Sequence, residues 1–286
     1  AVSAKSNPHR FGIRPASAIM LDCSQDSYEE ARFLKLSVLI PCYNEIDTIR
    51  EIVERVLDVD IVLRVREGKT AQGDPNRSRE GPVELVVEKE VIIVDDGSKD
   101  GTRDILADLA ELPEVSVYYH ERNKGKGAAV RTAIDKATGE ILIVQDADLE
   151  YDPREYPKLV QPIVEGRSKV VYGSRFLGGP RKAMFFSHML GNKLLTLFAN
   201  ILYDTILSDM ETCYKVFTRE VAQQLRLNSH GWGFDPEITA KILKRGYRIY
   251  EVPISYTGRE FNEGKKISWR DGLTVAWTLL KYRFVE

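Results

Sequence analysis

Val91-Ile-Ile-Val94 is apolar on both faces and stops abruptly on Asp95-Asp96-Gly97-Ser98. Two other runs behave the same way. Leu36-Ser-Val-Leu-Ile-Pro41 leads into Cys42-Tyr43-Asn44-Glu45, and Glu140-Ile-Leu-Ile-Val144 leads into Gln145-Asp146-Ala147-Asp148. Between them the periodicity becomes helical. From about Asp47 to Leu57, Ile49, Ile52, Val53, Val56 and Leu57 recur at helix spacing, and further helices are predicted at about 101–111 and 127–137. Val115–Tyr119 reads as another strand. Short strands apolar on both faces, alternating with helices, predict an α/β fold with a mostly parallel central sheet flanked by helices. In such a sheet ligands bind beyond the carboxyl ends of the strands, so polar residues there are the first place to look for chemistry.

Composition narrows the ligand. The 286 residues are 43% hydrophobic, enough for one sizeable core, and 29% charged with a net charge of −2. That balance excludes the basic footprint of a nucleic-acid binder, so an acidic ligand must be held by local cations. Cys23, Cys42 and Cys213 are odd in number and scattered, which argues against a disulfide framework or zinc site and for a reducing, cytoplasmic compartment. The first residues lack the apolar run of a signal peptide, and no window is long and apolar enough to predict a spanning helix.

Residues 1–34 show little periodicity and read as an arm preceding one domain over 35–286. The polar, Gly/Pro-rich stretch 66–82 reads as a loop insertion, because the alternation of elements resumes on both sides. Strand Lys169–Tyr172 and helix Pro236–Lys244 follow, and the part from about 176 to 286 forms the extension that completes the site.

Carboxylates end three successive strands, and such a rim is self-repelling unless a cation or donor groups share it. A single acidic strand end is equally well an N-cap of the next helix; three in a row favour a site. Asp146 and Asp148 are two residues apart in an extended segment, so both carboxylates can face one divalent cation, Mg2+ or Mn2+, with Glu150 as a third ligand. Such an ion stabilises charge on a departing nucleoside diphosphate.

Val38-Leu-Ile-Pro-Cys-Tyr-Asn-Glu45, Ile93-Val-Asp-Asp-Gly-Ser98 with Asp100-Gly-Thr102, and Asp146-Ala-Asp-Leu-Glu150 together resemble glycosyltransferase family 2, whose fold is GT-A. Asn123-Lys-Gly-Lys-Gly-Ala-Ala129, Tyr172-Gly-Ser-Arg-Phe176 and Glu263-Gly-Lys-Lys-Ile267 are similar to the polyprenyl-phosphate (dolichyl-phosphate) mannose and glucose synthases within it. The likeness runs in order over about residues 36–268.

The resemblance implies an inverting, metal-dependent transfer of a hexose from a GDP- or UDP-linked donor to a polyprenyl phosphate. It places Pro41, Tyr43, Glu45, Asp95, Asp96, Lys126, Gly127 and Asp146 at the donor, and Asp146 and Asp148 at the metal, with Asp148 catalytic. Glu150 departs from the glutamine often found there in the mannose synthases. Arg175, Arg259, Lys265 and Lys266 would hold the acceptor phosphate, arginine through its forked geometry. Gly125 and Gly127 also fit two positions of a dinucleotide fingerprint, but Val130 occupies the third and no ribose-binding acid is placed; small residues there let a helix start pack close to the donor base.

Alternatives stay open. A hydroxyl acceptor would need a general base, for which Asp235 in Gly233-Phe-Asp-Pro-Glu237 is the candidate, though a helix N-cap serves equally well. A catalytically silent nucleotide-binding module is the other rival. His9, His120, His188 and His230 show no ligand spacing and read as core or surface residues. The apolar stretches 183–207 and Leu273–Phe284 read either as core-facing helices or as helices lying on a membrane surface, on its cytoplasmic face.

Overall fold

A computed structural model describes residues 32–66, 82–182, 185–231, 233–258 and 269–286. Its centre is β1 (Arg32–Cys42), parallel to β3 (Pro82–Asp95) on one side and to β5 (Ile141–Val144) on the other. Two strands share the outer edge of the long β3. β2 (Val62–Arg66) pairs antiparallel with its first half, and β4 (Val115–Tyr119) pairs parallel with its second half. Beyond β5 the order continues through β7 (Lys215–Thr218), β6 (Val170–Ser174) and β8 (Ile249–Pro253). β7 is antiparallel to both its neighbours, whereas β6 and β8 are parallel. The sheet is therefore mixed, with a parallel half that carries the acidic strand ends.

The helices take the places expected of crossovers. They are α1 (Ile49–Asp58), α2 (Thr102–Leu109), α3 (Lys126–Lys136), α4 (Tyr156–Val164), α5 (Phe186–Tyr203), α6 (Arg219–Gln224), α7 (Phe234–Lys244) and α8 (Trp269–Phe284). Ile49, Ile52, Val53 and Val56 of α1 are buried against the sheet, as their spacing predicts. The central strands β1, β5, β6 and β7 are buried on both faces, so their apolar residues supply much of the core. A second, smaller cluster of Ala199, Met210, Val275 and Leu279 joins α5 to α8.

Two boundaries differ from the sequence expectation. β1 begins at Arg32 and ends at Cys42, so residues 32–34 belong to the sheet and Pro41 lies inside a strand. Arg66 and Pro82, the limits of the expected insertion, are paired ends of the β2–β3 hairpin, and 67–81 lie outside the described residues. α5 and α8 are helices packed on one another through one face only.

At the end of the sheet away from the acidic rim, Glu90 ties three segments together. Its carboxylate pairs with Lys35 at 2.8 Å and accepts from Ser37 Oγ at 2.5 Å and from the backbone N of Thr138 at 2.6 Å. Burial works to raise this carboxyl, but those bonds outweigh it and hold it at about 2.

Candidate active site

The rim is built where β1, β3 and β5 end side by side. Asn44, at φ 53°, turns the chain out of β1; its N donates to Ser98 Oγ at 2.9 Å and its Oδ1 accepts from Lys99 N at 2.9 Å. Asparagine tolerates that left-handed conformation better than most residues. Tyr43 stands exposed at the turn, Pro41 is half-buried, and Glu45 accepts from Thr48 Oγ1 at 2.7 Å. The first two strand-end loops are thus knitted together.

Asp95 and Asp96 are both buried, and protein donors engage both. Asp95 accepts from Ser98 N at 3.2 Å and from Arg103 Nε at 2.7 Å, which folds the Asp-Asp-Gly-Ser turn. Asp96 accepts from Lys124 N at 2.9 Å and Gly125 N at 2.6 Å, and pairs with His120 Nδ1 at 2.7 Å. A buried carboxylate needs such partners. The pair therefore frames the loops around the rim, and any contact with a donor base or ribose comes in addition to that work. His120 also reaches Thr132 Oγ1 at 3.0 Å, linking β4 to α3.

The glycines before and inside α3 have a physical reason within the protein itself. Gly125 sits at φ 90°, and a Cβ there would lie 2.3 Å from the His230 carbonyl oxygen. At Gly127 a Cβ would lie 2.4 Å from the Ser229 carbonyl oxygen. Close packing of α3 against the loop before α7 requires them, and Gly127 N donates to His230 O at 2.7 Å.

Lys126 reaches across the rim to Asp146 Oδ1 at 2.7 Å. Burial works to lower this ammonium, but Asp146 and then Asp235 outweigh it and keep it raised, hence charged. Asp146 N donates to Cys213 Sγ at 3.1 Å. Asp148 is buried and accepts from Glu150 N at 3.0 Å. Glu150, the expected third ligand, accepts from Tyr256 OH at 2.8 Å through Oε2. Among the described residues no three His, Cys, Asp or Glu side chains converge as a metal cage. Two carboxylates nevertheless fit a Mg2+-like ion, which is commonly held by one or two protein carboxylates while phosphates and water complete its shell.

The far wall contains side chains that the sequence did not single out. Arg175, expected at an acceptor phosphate, places Nε and Nη2 on the two oxygens of Asp209, each at 2.7 Å. Lys215, fully buried, bonds Asp235 Oδ1 at 2.5 Å and the Thr212 carbonyl. Burial alone would raise the Asp235 carboxyl; Lys215 and then Lys126 outweigh it and hold it below the ordinary range. Gln145 is locked by Tyr156 OH at 2.8 Å and Tyr214 OH at 2.9 Å. For Asp209, Glu211 and Lys215 the sequence signal is three charges within seven residues before an apolar strand. Arg259, Lys265 and Lys266 lie outside the described residues.

Comparison with known proteins agrees with this geometry. The family model described as glycosyl transferase family 2 matches residues 80–226. Glycosyltransferase AglJ of Haloferax volcanii is 27% identical over 223 residues, 78% of this chain and 63% of that protein. A dolichol-phosphate mannosyltransferase of Pyrococcus furiosus is 28% identical over 236 residues, 81% of this chain and 59% of that protein. The chain thus spans less than two thirds of the length of these relatives. Among solved structures, glucosyl-3-phosphoglycerate synthase of Mycobacterium tuberculosis, in complex with Mn2+, UDP and glucosyl-3-phosphoglycerate, superposes with a TM-score of 0.62 at 18% identity, covering 88% of this chain and 81% of that one. Mannosyl-3-phosphoglycerate synthase of Rubrobacter xylanophilus gives 0.60 at 16% identity, covering 87% and 73%. At those identities the likeness is one of fold, and the fold is GT-A.

Proposed function

The chain belongs to glycosyltransferase family 2, and from that premise we propose that it transfers a hexose from a GDP- or UDP-linked donor to a polyprenyl (dolichyl-type) phosphate, with inversion. The observation that carries the reading is the end of β5. There Asp146 and Asp148 stand on the rim of a GT-A sheet, with Lys126 across from them. A divalent cation held by these two carboxylates would stabilise charge on the departing nucleoside diphosphate. Lys126 adds a fixed positive charge on the same side. Tyr43, Glu45 and the framed Asp95–Asp96 loop are the donor-facing residues in this reading, and Arg175, Arg259, Lys265 and Lys266 the acceptor-facing cations.

Two observations favour a lipid phosphate over a hydroxyl acceptor. An acceptor phosphate is already anionic and needs no strong base, whereas a hydroxyl does. Asp235, the candidate base, is held ionised by Lys215 with its basicity reduced. Secondly, α5 and α8 each turn an apolar stripe to solvent. Phe186, Leu190, Leu194, Leu197 and Ile201 follow one face of α5, and Leu273, Trp277, Leu280 and Phe284 follow one face of α8. Phe186 and Ile201 are 71% and 72% exposed, and Phe284 79%. Stripes of this kind suit a membrane surface, from which a polyprenyl acceptor is presented. Among the described residues no helix is long and apolar enough to cross a membrane. The test offers GDP-mannose or UDP-glucose with Mn2+ to the chain, beside a short polyprenyl phosphate or 3-phosphoglycerate, and reads the product by mass.

A further inference from the structure

Among the described residues, Glu211 Oε1 is the one buried side-chain oxygen or nitrogen without a hydrogen-bond partner. Leaving such a group unmatched is costly, and native structures seldom do it without a reason. Its position narrows the reason. Two residues before it, Asp209 holds Arg175; two residues after it, Cys213 Sγ accepts from the backbone N of Asp146. Glu211 therefore sits on a segment that touches both the metal-side rim and the acceptor-side wall. In the reading above, the transferred sugar lies between those two.

The charges around it are already matched. Arg175 is bidentate to Asp209, and Lys215 is bonded to Asp235. Neither cation bonds to Glu211, although both face it, as do Asp235 and Asp209. Burial, then Asp235, lift its carboxyl to about 8 against the pull of Lys215 and Arg175, so at neutral pH it is protonated. A neutral carboxyl both donates and accepts a hydrogen bond, which is the complement of a hydroxyl rather than of a phosphate or a metal ion.

We propose that Glu211 hydrogen-bonds a hydroxyl of the transferred hexose and so helps select which sugar the site accepts. The assignment rests on the reading of the site as a nucleotide-sugar transferase. It predicts a residue that matters for the sugar half of the donor and not for the nucleotide half.

Calorimetry with Mn2+ separates the two halves, using UDP-glucose and GDP-mannose against UDP and GDP, on the parent chain, Glu211→Ala and Glu211→Gln. The sugar nucleotide that the parent prefers should bind Glu211→Ala at least tenfold more weakly, the loss expected for one hydrogen bond of this kind. The matching nucleoside diphosphate should bind as before, and Glu211→Gln, which copies the neutral carboxyl, should retain most of the affinity. Because no protein bond is lost, the melting temperature of either variant should hold or rise. Unchanged sugar-nucleotide binding by Glu211→Ala, or an equal loss for the nucleoside diphosphate, would overturn the assignment while leaving the transferase reading intact. A parent chain that binds neither form would sink both.

Discussion

Replacing Lys215 by Met keeps the stem of a fully buried side chain and removes its ammonium. The change strips Asp235 of a 2.5 Å partner and leaves the Thr212 carbonyl without the Nζ donor. Removing one member of a buried ion pair costs roughly 3–5 kcal/mol, because the other charge stays buried. Lys126 still acts on Asp235, so the lower end, about 3 kcal/mol, is expected. The sign of the pH dependence follows. In the parent, Lys215 and Lys126 hold the Asp235 carboxyl down against burial. Without Lys215, burial becomes the larger effect and the carboxyl moves above its unfolded value. The folded state then binds the extra proton, so stability is present at low pH and lost as pH rises. Urea melts should show the deficit of Lys215→Met largest near pH 7 and smaller toward pH 4.5. Adding Asp235→Asn should recover most of it. A loss under about 1 kcal/mol, or a deficit equal at both pH values, would refute the reasoning.

Two further outcomes are expected. Glu90, held at about 2, should contribute stability above pH 4.5 that is lost as pH falls toward 2, and acid melts of Glu90→Gln should lack that dependence. Leu194→Glu and Trp277→Glu should leave melting temperatures unchanged while weakening sedimentation with anionic lipid vesicles by roughly ten- to a hundredfold, the scale set by burying such side chains; unchanged vesicle binding would remove the membrane role of the stripes.

The parallel half of the fold was legible because its strands are apolar on both faces and end in carboxylates, a pattern local to each run. β7 was not. It is four residues long and begins with Lys215, and only its burial between β5 and β6 makes it a strand. The β2–β3 hairpin was hidden because the polar stretch between its strands reads as loop from both ends. Of the candidate site, Asp146 and Asp148 stand out by their spacing together with the two acidic strand ends before them. Arg175 stands out by its motif, but its partner does not, since Asp209 lies 34 residues further on. The same holds for Lys215 and Asp235, 20 residues apart, and for Glu150, whose bond to Tyr256 spans 106. Sequence spacing shows which groups share a strand end; it does not show which have already been neutralised by a distant segment.

The central claim is that the carboxylates after β5 carry hexose transfer to a lipid phosphate. Its most direct measurement is a mass spectrum of the lipid fraction after incubation with Mn2+, a nucleotide sugar and a short polyprenyl phosphate, run on the parent chain and on Asp148→Asn. The parent should add one hexose to the lipid phosphate from one of GDP-mannose and UDP-glucose, and Asp148→Asn, with an unchanged melting temperature, should add none. Hexose appearing only on 3-phosphoglycerate, or an Asp148→Asn variant as active as the parent, would contradict the account.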